Sequence, residues 1–261
     1  KLNFSVRILK DKINQDHNFN NKFTHILIES ENHFNNLLKV CSNEFEKNTG
    51  SYLIDGKKYE YYIDNYTKQK FLFDHIAKKE NKHVLEIGTY MGHSMLIMLL
   101  ANNSLSATCI DIEDKYSKPA IDYLSKSFPN SKLELIKGDS LKVLKTLKKK
   151  YDFFLIDGTH RNTQVTREFN YCINNLLNKN RIDFILDDVI HAEPLKKNIF
   201  SSFLIKKSKL ISDVPNGNLY FQLELPNSRF KLLYKKLVFF LKNTSWYLKK
   251  KISKAIKLQK I

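Results

Sequence analysis

Acidic side chains stand at the ends of two apolar runs that are typical of buried strands. The run YDFFLID, residues 151–157, ends in Asp157, and the run RIDFILDDV, residues 181–189, carries Asp187 and Asp188. If these strands are neighbours in a parallel sheet, their carboxyl ends meet at one edge, where three carboxylates repel one another or take up protons. A divalent cation removes that cost, and all-oxygen ligation favours Mg²⁺, with Mn²⁺ or Ca²⁺ as alternatives. The sequence therefore predicts a metal site formed by these three residues.

A histidine follows the first of these carboxylates. Gly158 allows the chain to turn, and His160 can then return over the same site. A histidine side chain has an unperturbed pKa of about 6.5, which suits the removal of a proton near neutral pH. We therefore predict that His160 is the catalytic base. The alternative is a structural role at the N-terminus of the following helix.

A glycine-containing turn joins an earlier strand to its helix, in the stretch EIGTYMGHS, residues 86–94. Gly88 and Gly92 permit a tight turn and close approach of a ligand, and the helix N-terminus supplies free N–H groups. The spacing G-x-x-x-G is not the dinucleotide fingerprint G-x-G-x-x-G. The turn indicates a ligand site, although such glycines are also used for purely steric reasons.

Polar residues also end the next two strands. Asp111 ends the second, where a carboxylate can accept hydrogen bonds from both ribose hydroxyls of a nucleoside-like ligand. The alternative for Asp111 is a solvated or helix-capping acid. The third strand ends in Gly138-Asp139-Ser140, and either Asp139 or Ser140 can cap the following helix while also contacting an adenine.

The elements that must position these residues alternate regularly from His83 onward. Short apolar runs are separated by helical patterns of ten to sixteen residues, which predicts an α/β fold with a doubly wound, mostly parallel sheet. We expect three regions: an N-terminal helical extension or cap (1–80), the central domain (81–226) and a basic helical tail (227–261). Predicted helices cover residues 66–79, 94–103, 118–128, 140–150 and 162–177, and a hairpin is predicted from KLISDV and NLYFQLEL, residues 209–214 and 218–225.

The composition indicates the cellular compartment in which the protein works. The chain has 261 residues and a net charge of +17, and its three cysteines are widely spaced, so neither a disulfide framework nor a cysteine metal site is indicated. No apolar run approaches the ~20 residues of a membrane-spanning helix. We expect a reducing cytoplasm.

The basic tail, residues 227–261, holds eleven Lys and Arg and no Asp or Glu. Apolar residues recur in it at helical spacing, first over 230–241 and again over 248–256. Two interpretations stay open: an interfacial helix on the inner face of an anionic membrane, or a helix packed on the domain or on a partner subunit. A homo-oligomer is therefore one of the expected partnerships.

The stretch VLEIGTYMGHS resembles the first motif of class I S-adenosylmethionine-dependent O-methyltransferases, close to the catechol and caffeoyl-CoA type. The pairing of D-G-T-H with a later acidic pair is more similar to the macrocin O-methyltransferase relatives, which methylate sugar hydroxyls with a bound metal. The resemblance covers Val84 to Val189. It implies an enzyme that uses S-adenosylmethionine and Mg²⁺ or Mn²⁺ to methylate a sugar or glycan-containing small molecule with neighbouring hydroxyls.

The resemblance also implies roles for individual residues. The methionine and ribose part of the cofactor would be lined by Glu86, Gly88 and Gly92, with Thr89, Tyr90 and Ser94 in the same turn. Asp111 would hold the ribose, and Asp139 with Ser140 would border the adenine. Asp157, next to the cofactor, would bind the metal with Asp187 and Asp188, and His160 would be the base.

Two alternatives belong to other functional classes. The net charge favours an RNA or protein methyltransferase, but the chain has no Asn-Pro-Pro-Tyr-type motif after the fourth strand and no aromatic platform for single-stranded RNA. Nucleic acid is therefore not the expected partner. A catalytically inactive adaptor that binds membrane or polyanion is the second alternative, and the collected carboxylates argue against it.

Overall fold

The structure is a computed structural model, and it describes residues 7–41, 53–54, 58–59, 66–78, 83–159, 161–178, 181–187, 205–210 and 219–224, together with six single positions of the basic tail. The chain forms two compact units, residues 1–143 and 144–261.

The first unit begins with helices. These are α1 (Arg7–Gln15), a 3-10 turn (His17–Phe19), α2 (Lys22–Glu29), α3 (Glu31–Cys41) and, after the short antiparallel pair β1 (Leu53–Ile54) and β2 (Lys58–Tyr59), α4 (Tyr66–Ile76). The sequence predicted α4. It did not identify α1 or α3 as separate helices.

Strands and helices then alternate as predicted. They are β3 (His83–Ile87), α5 (His93–Ala101), β4 (Ser106–Asp111), α6 (Ser117–Ser127), β5 (Lys132–Lys137) and α7 (Ser140–Leu144). β4 pairs in parallel with β3 on one side and with β5 on the other, giving the order β5-β4-β3. The prediction that α7 runs to residue 150 is wrong: the last buried side chains are Val143 and Leu144, and the lysines that follow are exposed, so no apolar face continues the helix.

The second unit continues the same pattern with β6 (Phe153–Ile156), α8 (Asn162–Asn175), β7 (Arg181–Leu186), β8 (Ile205–Leu210) and β9 (Leu219–Glu224). β6 and β7 are parallel, β9 is antiparallel to β7, and β8 is antiparallel to β9. The predicted antiparallel pair is thus present, but its first strand starts four residues earlier than expected. The predicted α/β fold with a mostly parallel sheet is confirmed.

The N-terminal helices pack on the helices of the first unit. Helix α5 is apolar on every side, with Met95 to Leu99 all buried, so it needs partners on more than one face. α3 and α4 both contact α5, and Phe34 of α3 stacks on the buried ring of His93 with 6.4 Å between ring centroids. The N-terminal region therefore contributes to the core of this unit.

Polar contacts fix α3 against α6. The ring Nδ1 of His33 lies 2.9 Å from the hydroxyl of Tyr123, and the thiol of Cys41 donates to the backbone carbonyl of Tyr116 at 3.5 Å.

Within the part of the chain that is described, no helix is both long and apolar enough to cross a membrane.

Candidate active site

The turn after β3 has an unusual backbone. Gly88, Tyr90 and Gly92 all have positive φ angles, of 87°, 47° and 73°. The N–H of Gly88 donates to the carbonyl of Ile110 at 2.8 Å, which ties the start of the turn to the end of β4. A side chain at Gly92 would be strained, and its Cβ would lie 3.1 Å from the Cβ of Ala120. Glycine is therefore required at position 92 for packing alone, because it lets α5 begin directly against α6.

Asp111 joins two loops at the carboxyl end of the sheet. One carboxylate oxygen accepts a hydrogen bond from the backbone N–H of Tyr90 at 2.6 Å, and the other accepts from the N–H of Glu113 at 3.2 Å. The turn after β3 is thereby held to the acid that the sequence assigned to ribose. The glycine turn and Asp111, which were predicted to contact the same ligand, are therefore adjacent in the structure.

Aromatic and apolar side chains border this position. Tyr90 is 43% exposed and meets Tyr116 edge to face, with 5.2 Å between ring centroids. Ile112, directly after Asp111, is 65% exposed. Sequence reasoning missed Tyr116 and Ile112. The signal that could have found Ile112 was its place as an apolar residue inside the acidic run Asp111 to Asp114.

Glu86 is a buried acid next to the turn. Its side chain is fully buried on β3. Burial raises the pKa of Glu86 to about 8, and the nearby Thr89 hydroxyl and Cys109 thiol only partly oppose this rise. Such a group is stabilised by any cationic or hydrogen-bonding ligand group that reaches it.

The other predicted cofactor residues have mixed positions. Thr89 is buried, Ser94 lies half-buried in the first turn of α5, and Ser140 is the buried first residue of α7. Asp139 caps α7, because its side chain accepts a hydrogen bond from the N–H of Lys142 at 3.1 Å. The capping role considered for Asp139 is thus observed.

In the second unit, the predicted acids follow paired strands. Ile156 of β6 is in register with Leu186 of β7, and the N–H of Asp187 donates to the carbonyl of Ile156 at 3.0 Å. Asp157 and Asp187 therefore lie at the same end of two adjacent strands, as the sequence predicted. Asp188 and His160 lie outside the described residues.

The described residues contain no group of three His, Cys, Asp or Glu side chains placed to hold a metal ion. Since Asp188 and His160 are not among those residues, the three-carboxylate site stays a prediction. The two described acids supply oxygen donors, the kind that Mg²⁺ prefers.

A buried polar cluster lies within β7 and β9. One oxygen of Asp183 accepts hydrogen bonds from the hydroxyl of Tyr220 at 2.8 Å and from the side-chain amide of Gln222 at 2.7 Å. This acid is structural: it joins two antiparallel strands from the inside. No local sequence pattern indicates this pairing, because it depends on the register between β7 and β9.

Comparisons with known proteins agree with the α/β fold described above. Residues 85–189 match the family model described as a methyltransferase domain, and a search of curated proteins finds no match to the chain. A solved O-methyltransferase from Bacillus cereus, in complex with SAH, is 16% identical and has a TM-score of 0.56, with 74% of this chain and 91% of that one covered.

Two further solved structures are similar. The cofactor-bound protein Rv0187 from MTB is 15% identical, with a TM-score of 0.56 and coverage of 74% of this chain and 89% of that one. The SAH-bound methyltransferase PaMTH1 from Podospora anserina is 15% identical, with a TM-score of 0.51 and coverage of 60% and 78%. The chain has the class I methyltransferase fold, and residues 85–189 are the part that matches the methyltransferase domain model. The predicted class I methyltransferase fold is thus confirmed.

Proposed function

We propose that the protein transfers a methyl group from S-adenosylmethionine to an oxygen atom of a small-molecule acceptor. The observation that carries this is the hydrogen bond from the Tyr90 N–H to Asp111, which holds the glycine turn to the acid that we propose for ribose, within the residues that match the methyltransferase domain model. A solved protein of similar fold is an O-methyltransferase with SAH bound, which supports the choice of cofactor and of oxygen as acceptor.

The described side chains suit the three parts of such a cofactor. Asp111 would accept hydrogen bonds from the ribose hydroxyls, and exposed Ile112 offers an apolar surface for a flat base beside it. Glu86, buried and raised in pKa, would pair with the cationic amino group of the methionine part. When bound, S-adenosylmethionine supplies an electrophilic methyl group.

The proposed reaction is a single displacement. The acceptor oxygen forms a bond to the methyl carbon while the bond from sulfur to that carbon breaks, and the acceptor proton passes to a base. His160 is the residue that we propose as this base. Its role rests on its place three residues after Asp157 in the sequence.

The finer proposal concerns the acceptor. Asp157 and Asp187, at the same end of paired strands, would hold a divalent cation together with Asp188. A cation held there would fix two neighbouring acceptor oxygens and lower the pKa of one of them. A sugar or glycan with vicinal hydroxyls is the acceptor class that fits this arrangement.

The test uses methyl-labelled S-adenosylmethionine and a panel of nucleotide sugars, catechols and RNA, with and without Mg²⁺. We expect transfer to sugar hydroxyls that depends on Mg²⁺. Transfer to RNA alone would overturn the acceptor class, and failure to bind the cofactor in calorimetry would overturn the enzyme itself.

His160→Ala separates chemistry from binding. Removal of the base should lower turnover by about a hundredfold or more, because general base catalysis contributes a factor of that order. The affinity for S-adenosylmethionine should stay nearly the same. Equal turnover in the variant would remove His160 from the mechanism.

A further inference from the structure

The described positions of the basic tail expose an apolar stripe. Residues 234, 237, 238, 241, 245 and 248 have helical backbone. The side chains of Tyr234, Leu237, Leu241 and Leu248 are 59%, 53%, 55% and 57% exposed. Their spacing of three, four and seven residues places all four on one face of a helix.

This exposure is concentrated in the tail. Outside it, the large apolar side chains that the described residues expose are Val40, Tyr90 and Ile112. Tyr90 and Ile112 border the proposed cofactor site, and Val40 stands alone on α3. Single exposed apolar residues are normal on protein surfaces, whereas a stripe on one helix face marks an interaction surface.

The charge of the tail identifies the kind of partner. Eleven of its residues are Lys or Arg and none is acidic, so more than half of the net charge of +17 is carried by residues 227–261. A second copy of the same helix would bring like charges together, which is unfavourable. A nucleic acid would attract the charge but offers the aliphatic stripe nothing to bury it. An anionic membrane surface would attract the positive charge and also bury the apolar stripe.

We propose that the basic tail is an interfacial helix that binds anionic lipid membranes. Tyr234, Leu237, Leu241 and Leu248 enter the boundary between headgroups and acyl chains, and the lysines contact the lipid phosphates. This proposal is independent of the methyl-transfer proposal, because none of the residues that carry it belongs to the candidate active site.

The experiment is flotation of the full chain with vesicles of phosphatidylcholine, alone or mixed in equal parts with phosphatidylglycerol. We expect binding to the mixed vesicles that weakens with added salt. The double substitution Leu237→Gln with Leu241→Gln should weaken binding roughly tenfold or more, because both exposed side chains lose apolar burial. Val40→Gln removes an exposed apolar side chain from α3 and is the matched control, with binding unchanged.

A second variant tests the charge. Replacing Lys249, Lys250 and Lys251 by Gln should lower the vesicle affinity about a hundredfold, since each basic residue near an anionic surface contributes about fivefold. Circular dichroism and gel filtration of each variant report folding and oligomeric state.

Three results would overturn the proposal. One is equal binding to vesicles with and without phosphatidylglycerol, and another is unchanged binding after the double leucine substitution, which would leave charge attraction alone. The third is a stable oligomer that binds no vesicles and that dissociates when the two leucines are replaced, because the stripe would then be a subunit interface.

Discussion

The buried carboxyl group of Glu86 makes the stability of the protein depend on pH. In the folded protein burial raises the pKa of Glu86 to about 8, whereas its ordinary value is 4.5. Between these values the folded state holds a proton that the unfolded chain has lost, so the free energy of unfolding falls as pH rises, by up to about 1.4 kcal/mol per pH unit. The stabilisation that protonated Glu86 contributes is fully present below the ordinary pKa of 4.5 and is lost above the raised pKa of about 8.

Glu86→Gln should remove this dependence. In the absence of cofactor, urea unfolding from about pH 5 to about pH 8 should show a falling free energy of unfolding for the native protein and a flatter profile for the variant. Glu113→Gln, at an exposed glutamate of the same unit, should keep the native profile. Parallel profiles for the native protein and Glu86→Gln would mean that Glu86 is already ionised in the folded state.

Asp111 should determine the affinity for the cofactor. Asp111→Asn keeps the shape of the side chain but removes a charged acceptor, so we expect S-adenosylmethionine to bind about tenfold more weakly or worse. Calorimetry measures this. Asp114→Asn is the matched control, because that exposed acid pairs with Lys137 at 2.7 Å and should leave the affinity unchanged. Equal affinities in the two variants would place the ribose elsewhere.

Single residues differ in how well the sequence predicts them. Asp111 and the glycines were found because strand ends and turns leave local signals, and Asp157 and Asp187 because both follow apolar runs. The exposed position of Ile112, the edge contact of Tyr116 and the buried pairing of Asp183 were not found. Ile112 did have a local signal, because it is an apolar residue inside an acidic run. The contacts of Tyr116 and Asp183 depend on which residues become neighbours through folding, and no local pattern contains that information.

The packing of α3 on α5 makes the N-terminal region part of the first compact unit. Phe34 is fully buried and stacks on His93, so Phe34→Ala should lower the free energy of unfolding by about 3–5 kcal/mol. Val40→Ala, at a position of the same helix that is 39% exposed, should change it by less than about 0.5 kcal/mol. Chemical denaturation measures both, and similar small losses would show that α3 is a detachable cap.

Among the elements, the alternating strands and helices after His83 were predicted well and the N-terminal helices poorly. The strands are short, buried and bounded by turn residues, which is a strong local signal. In α3 the buried residues Phe34, Leu37, Leu38 and Cys41 do follow helical spacing, so this helix could have been found. The Asn-rich composition around it concealed the pattern, because asparagine is typical of loops and caps.

On the scale of the whole molecule, the two compact units hold different parts of the predicted chemistry. Glu86, Asp111 and Asp139, proposed for the cofactor, belong to residues 1–143, whereas Asp187, Asp188 and His160, proposed for the acceptor, belong to residues 144–261. Asp157 was assigned to both functions. If these assignments are correct, substitutions in the two units should affect different kinetic quantities.

Asp187→Asn should therefore lower turnover without weakening cofactor binding. Loss of one negative charge among the ligands weakens binding of the cation that fixes the acceptor, so we expect turnover to fall at least about tenfold while the dissociation constant of S-adenosylmethionine stays within about twofold. Exhaustive chelation of the native protein should have the same effect, and added Mg²⁺ should restore its activity. Asp122→Asn, at an exposed acid that pairs with Lys118, is the control and should alter neither quantity. Full activity after chelation would refute the proposed metal site. Equal loss of cofactor affinity and of turnover in Asp187→Asn would place this carboxylate in the cofactor site, because only a group that touches the cofactor changes both quantities together.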